Sequence, residues 1–244
     1  MRPDASKKLA AAAPKKGPNP VIIGGVIAVL VIVAVVVAIV MGTKDKPGGG
    51  GSAQPVGVIG GTGGGIFANA AAAKSNAPTL DLYEDFQCPA CAQLEQRIGA
   101  EKASMAEAGD IKLVVHTLSF LDDNLKNDSS KRSANAAACA ADAGKFLEYR
   151  SAVYAAQPAQ EGVGYTDAQL TQFAGASGIT GPALTTWQQC TTSGQHAQYV
   201  TDVQEASGRA GVNGTPTIKL NGQDVTKDVQ TPAALVAAVK AATK

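Results

Sequence analysis

An α/β domain interrupted by a helical insertion is the fold class this sequence predicts, and three observations carry it. Two β-rich runs, Thr79 to Tyr83 and Ile111 to Leu118, flank a helical stretch from about Pro89 to Ala108. That spacing is a βαβ unit, whose strands run parallel with a right-handed crossover. An Ala-rich region of helical character then occupies about residues 122–207. Finally, Thr217 to Leu220, the turn Asn221-Gly222 and Gln223 to Val225 form a hairpin ahead of an amphipathic helix from Pro232 to Ala242.

Each element has a local reason. "TLDLY" alternates apolar and polar positions, the period of a half-buried strand. Pro89 suits the first position of a helix, where an N–H would have no partner. Within the insertion, Thr166 before "DAQL" and Pro182 after Gly181 mark helix starts. No internal repeat is visible.

The region upstream has a different character. Val21 to Met41 is uncharged throughout and long enough to cross a hydrocarbon core of about 30 Å as a helix. Arg2, Lys7, Lys8, Lys15 and Lys16 precede it, so the N-terminus is expected in the cytoplasm and the remainder outside. A cleaved signal peptide fits less well, because the apolar run exceeds the usual length. The expected organisation is a cytoplasmic tail over 1–20, a transmembrane anchor over 21–41, a flexible Gly/Ala-rich linker over 42–77, and a folded domain over 78–244. A single-pass protein of the cell membrane follows, and outside the cytoplasm cysteines can stay oxidised. With 21 basic and 20 acidic residues the net charge is +1, which implies no nucleic-acid partner.

The chemistry lies in the four cysteines, Cys88, Cys91, Cys139 and Cys190. In "DFQCPAC", Cys88 and Cys91 enclose Pro89-Ala90 at the start of a predicted helix. Unsatisfied N–H groups and the helix dipole there favour a thiolate at Cys88. Cys91, closer to the helix axis and more shielded, can attack a mixed disulfide formed by Cys88. A zinc site would need two further ligands, usually a second close pair, and none is present, so no metal is expected. A purely structural Cys88–Cys91 bond would close too small a loop to restrain the unfolded chain. Cys139 and Cys190 fit a structural disulfide, closing a loop of about 52 residues worth up to roughly 4 kcal/mol; free or redox-active thiols are the alternative.

A second signal is "GVNGTPT", Gly211 to Thr217, with Thr215-Pro216 immediately before a strand. It is either a plain turn proline or a cis bond that turns backbone groups toward the dithiol, where a substrate segment could pair as an added strand.

The two motifs, in this order around a helical insertion, resemble the DsbA-like thiol-disulfide oxidoreductases of the thioredoxin fold, over about Pro78 to Lys244. Membrane-anchored actinobacterial forms with a second disulfide in the insertion look most similar. The resemblance implies that Cys88 attacks, Cys91 resolves and Pro216 is a cis-proline preceded by Thr215. It also implies no cofactor, and reoxidation by a quinone-linked membrane protein of the DsbB or VKOR type. The chain departs from the family pattern in two places. Leu82 stands where many relatives bury an acid, six residues before the nucleophile, so Glu84 or Asp85 could assist proton transfer instead, against the plainer reading of both as solvated loop acids. Pro89-Ala90 also lacks the histidine of the best-known members.

A Cys88 pKa lowered from about 8.5 to about 4.5 would stabilise the reduced form by roughly 3.4 kcal/mol at pH 7, or about 70 mV. That is about half the separation between a reducing thioredoxin and the oxidant DsbA. His116 and His196 read as ordinary polar residues, and Trp187 as core. The expected function is oxidation of reduced exported proteins by a monomeric enzyme. A reductase or isomerase of the same fold is one alternative, and a surface-tethered chaperone or binding module without turnover is another.

Overall fold

The computed structural model describes residues 53–243. The apolar run Val21 to Met41 therefore lies outside the described residues, and among those described no helix is long and apolar enough to cross a membrane.

Among the described residues five strands form one sheet: β1 (Ile66–Phe67), β2 (Thr79–Glu84), β3 (Lys112–Thr117), β4 (Thr217–Leu220) and β5 (Gln223–Asp224), in the order β1-β3-β2-β4-β5. Strand β2 runs parallel to β3 and antiparallel to β4. The register explains the alternation seen in the sequence. Leu80 stands level with Leu113 and Leu220, and Leu82 with Val115 and Ile218, so period-2 residues of three strands form apolar rows inside the core. On the other face Tyr83 stacks on His116 at 4.2 Å, and His116 Nε2 lies 3.0 Å from Asp81. His116 is thus a packed polar residue, as expected.

Helix α1 (Pro89–Glu107) connects β2 to β3, and α8 (Pro232–Ala242) packs against α1. The insertion comprises α2 (Leu121–Leu125), α3 (Ser129–Asp142), α4 (Phe146–Ala155), α5 (Asp167–Ala176), α6 (Pro182–Ser193) and α7 (Ala197–Arg209). Helix α3 is its hub, touching α4, α6 and α7, with Ala134 and Ala136 to Ala141 all buried. Its alanines let neighbouring helices approach from several sides, and Trp187 of α6 donates Nε1–H to the Ala136 carbonyl at 3.0 Å. Cys139 of α3 and Cys190 of α6 form a disulfide with their Cα atoms 5.9 Å apart. At the start of α5, Thr166 and Gln169 make the reciprocal capping box that a helix start there requires.

One boundary differs from the sequence reading. The linker expected over 42–77 is packed on the domain from Pro55 onward, where the first buried residue of this strap lies. Val58 bridges to Ile66, β1 pairs with β3, and the buried Ile66 joins the core. Asn69 anchors the strap further, donating to the Ala106 and Ile111 carbonyls at 2.8 Å each and accepting from Leu113 N at 2.9 Å. The glycines that suggested a tether serve close approach instead. Gly63 has φ +77°, and a Cβ there would meet the Asp202 carbonyl oxygen at 2.5 Å.

Candidate active site

Residues Asp85 to Cys88 form a turn between β2 and α1, with Cys88 N–H donating to the Asp85 carbonyl at 2.9 Å. Cys88 is the N-cap of α1 with extended backbone (φ −76°, ψ 115°), and Pro89 opens the helix. Cys88 and Cys91 are free, buried thiols. The Thr215-Pro216 bond is cis, and the Thr215 carbonyl accepts from Cys88 Sγ at 3.4 Å. Both sequence signals therefore meet at one sulfur, 127 residues apart in the chain.

The two thiols are held in opposite states. Cys88 is lowered from 9.0 to about 6. The Cys91 thiol, donating to it, is the largest cause; burial opposes the shift; and Thr215 with the N–H groups of Ala90 and Cys91 adds donors. The Thr215 hydroxyl is buried and, among the described residues, has no hydrogen-bond partner, which leaves it free for the thiolate. Cys91 is pushed well above its ordinary value, chiefly by burial, then by Cys88 and by the charge of Glu84. Such an asymmetry is what an attacking thiol at Cys88 and a resolving thiol at Cys91 would require.

Glu84 and Asp85 are not the solvated loop acids of the plainer reading; they are 1% and 0% exposed. Glu84 sits at the end of an inner strand, and Arg150 of α4 grips both its oxygens at 2.7 and 2.6 Å. Arg150 also bonds Glu95 at 2.8 Å and lies over the Tyr154 ring, while Lys102 bonds Glu95. This four-charge cluster holds Glu95 down at about 2, burial being outweighed by Arg150 and Lys102. Asp85 accepts from Ser130 Oγ at 2.6 Å, Gln87 N at 2.9 Å and Leu121 N at 3.3 Å. Burial nevertheless drives its carboxyl up to about 7, since those donors offset only part of the desolvation cost.

The insertion supports the catalytic turn throughout. Gln157 donates Nε2 to the Phe86 and Cys88 carbonyls at 2.8 and 3.1 Å, Tyr165 donates to Phe86 O at 3.1 Å, and Tyr154 to Asp85 O at 3.3 Å. Gln87 reaches Asp122, Asn127 and Ser130 at 2.9 Å each. These supporting residues escaped the sequence reading, because each acts across at least 35 residues of chain. Only Glu95 and Lys102 left a trace, as charges set among the apolar positions of α1.

Cys139, Cys190 and His196 bring potential ligand atoms within 4.8 Å of one another. Both sulfurs are already bonded together, and both His196 nitrogens are engaged, Nδ1 with the Ala53 carbonyl and Nε2 with Asp142 at 2.7 Å each. A cavity of about 780 Å³ opens on the insertion between α3, α5 and α6, with Trp187 and Leu170 in its wall. It shares no residue with the dithiol site.

A thioredoxin family profile matches residues 70–241. No curated protein sequence matches the chain. Among solved structures, oxidised DsbA of Mycobacterium tuberculosis is 27% identical, with a TM-score of 0.59 over 70% of this chain and 90% of its own. Reduced DsbG from the same organism is also 27% identical, with a TM-score of 0.58 over 70% and 85%. MdbA, a thiol-disulfide oxidoreductase from Actinomyces oris, shares the fold at 22% identity, with a TM-score of 0.64 over 79% and 93%. A dithiol at a helix start, facing a cis-proline, beside a disulfide-bonded helical insertion, agrees with these likenesses: the chain belongs to the thioredoxin family, as a DsbA-like thiol-disulfide oxidoreductase.

Proposed function

We propose that this protein is a membrane-tethered, extracytoplasmic oxidase that introduces disulfide bonds into exported proteins. The observation that carries the reading is the placement of two free thiols, Cys88 at the N-cap of α1 with its Sγ 3.4 Å from the Thr215 carbonyl beside the cis-proline, and Cys91 buried one turn on; the lowered Cys88 and raised Cys91 agree with it. A substrate thiolate attacks Cys88 Sγ of the oxidised pair, forming a mixed disulfide and releasing Cys91, which takes up a proton. A second substrate thiolate then attacks the substrate sulfur of the mixed disulfide and expels Cys88 as its thiolate. The substrate leaves oxidised and the enzyme holds the two electrons. Because Cys88 is the more acidic sulfur, it is the better leaving group in that second step.

The Cys88 shift stabilises the reduced enzyme by at most about 1.4 kcal/mol at pH 7, or about 30 mV. That is less than half of the 70 mV envisaged for a more acidic thiol, and Pro89-Ala90 supplies no histidine to deepen it. The span Val21 to Met41 and the basic residues before it support the membrane location. A quinone-linked partner of the DsbB or VKOR type would return the pair to its disulfide, with no bound cofactor in this chain. Cys88→Ser should abolish oxidation of a reduced, unfolded test protein, and persistent oxidation would overturn the assignment. If the domain is instead a binding module, a Cys88→Ser/Cys91→Ser variant would retain its cellular role; the oxidase predicts loss of disulfides in exported proteins.

A further inference from the structure

His196 is 1% exposed in its side chain, at the N-cap of α7, and its ring joins three parts of the chain. Nδ1 lies 2.7 Å from the carbonyl oxygen of Ala53, at the leading end of the strap. Nε2 lies 2.7 Å from Asp142 Oδ2 at the end of α3. The other Asp142 oxygen accepts the Val56 N–H at 2.9 Å, and the His196 N–H donates to Asn135 Oδ1 at 2.9 Å.

A carbonyl oxygen can only accept, so Nδ1 carries a proton. The Asp142 side chain is 31% exposed and accepts a backbone N–H on its far oxygen, which favours the carboxylate; Nε2 must then carry a proton too. We propose that His196 is an imidazolium that latches the leading end of the strap, Ala53 to Val56, onto the insertion, and that the latch opens as the ring loses its proton.

A neutral ring that keeps Nδ1–H on Ala53 turns the Nε2 lone pair toward the Asp142 carboxylate. That contact is repulsive, so either the ring rotates off Ala53 or Asp142 swings away and takes its bond to Val56 with it. Among the described residues the charged group facing the ring is Asp142; Asn135 and Gln195 are neutral, and the neighbouring sulfurs of Cys139 and Cys190 are bonded and do not titrate. The directions of titration agree: Asp142 and the Ala53 carbonyl raise His196 against the opposing effect of burial, and His196 lowers Asp142. A histidine raised on folding contributes stability in full below its unfolded value, about 6.5, and loses it as pH rises through the higher folded value. The latch is therefore closed below about pH 6.5 and opens as the pH rises through the higher folded value of His196.

The chain has only two histidines, so ring ¹⁵N resonances separate them. At pH 6.5 His196 should show protons on both ring nitrogens, and a single protonated nitrogen would overturn the proposal. Hydrogen exchange at Val56, corrected for its intrinsic pH dependence, should accelerate about tenfold as His196 titrates, the scale of one charge-assisted bond. Asp142→Asn should show that faster exchange at every pH. Exchange in the wild type that ignores the His196 titration would refute the latch. Should Asp142→Asn misfold, the ring resonances and the wild-type exchange profile still decide.

Discussion

Replacing Arg150 by Met removes the one side chain that grips Glu84 among the described residues, and the cost follows from where the charges sit. Both side chains are nearly sealed, 3% exposed for Arg150 and 1% for Glu84. Lys102 remains bonded to Glu95, so the carboxylate left without a partner is Glu84, in the core and beside Cys91. Breaking a buried pair from one side costs about 3–5 kcal/mol, because an uncompensated charge stays behind. At about 2–4 °C per kcal/mol for a domain of this size, the melting temperature should fall by roughly 6–20 °C. Thermal unfolding by circular dichroism reads this directly. The double variant Glu84→Gln/Arg150→Met removes the stranded charge and should recover most of the loss. A single variant that melts within about 2 °C of wild type, or a double variant no better than the single, would refute this account of the cluster.

Three further outcomes follow from the site. Alkylation of reduced Cys88 by iodoacetamide should be half-maximal near pH 6, and Thr215→Val should move that midpoint upward by removing a donor to the thiolate. Asp85, raised on folding to about 7, takes up a proton in the native state before the unfolded chain does. Its burial cost is thus present above pH 7 and relieved as pH falls toward 4, so Asp85→Asn should gain on wild type in urea-melt stability as pH rises from 4 to 8. Cys139→Ser/Cys190→Ser should lower stability by about 4 kcal/mol, since the bond closes a loop spanning 51 positions; a loss under about 1 kcal/mol would remove its structural role.

What could be read from the sequence was what chemistry writes locally. "DFQCPAC" encodes a nucleophile at a helix start within a few residues, and Thr215-Pro216 before a strand marks its own turn. The βαβ unit and the hairpin were legible because each has a period or a turn signal of its own. The strap was misread because glycine reports only permissiveness: Gly63 folds the chain tightly against α7, where composition suggested slack. The plainer reading of Glu84 and Asp85 as solvated loop acids fails for a related reason. Their burial depends on Arg150 and Ser130, 66 and 45 residues away, and no local pattern announces a partner at that distance. Gln157 escaped similarly, as a polar residue after a helix whose targets, Phe86 and Cys88, are set by the tertiary fold.

As an oxidase, the protein gives the Cys88–Cys91 disulfide away to its substrate. Equilibrating the protein with graded reduced and oxidised glutathione, and reading the redox state of Cys88 and Cys91, tests it most directly. Because the Cys88 shift contributes only about 30 mV, the potential should lie above that of thioredoxin, about −270 mV, and short of that of DsbA, about −120 mV; a value at or below about −270 mV would make the enzyme a reductase.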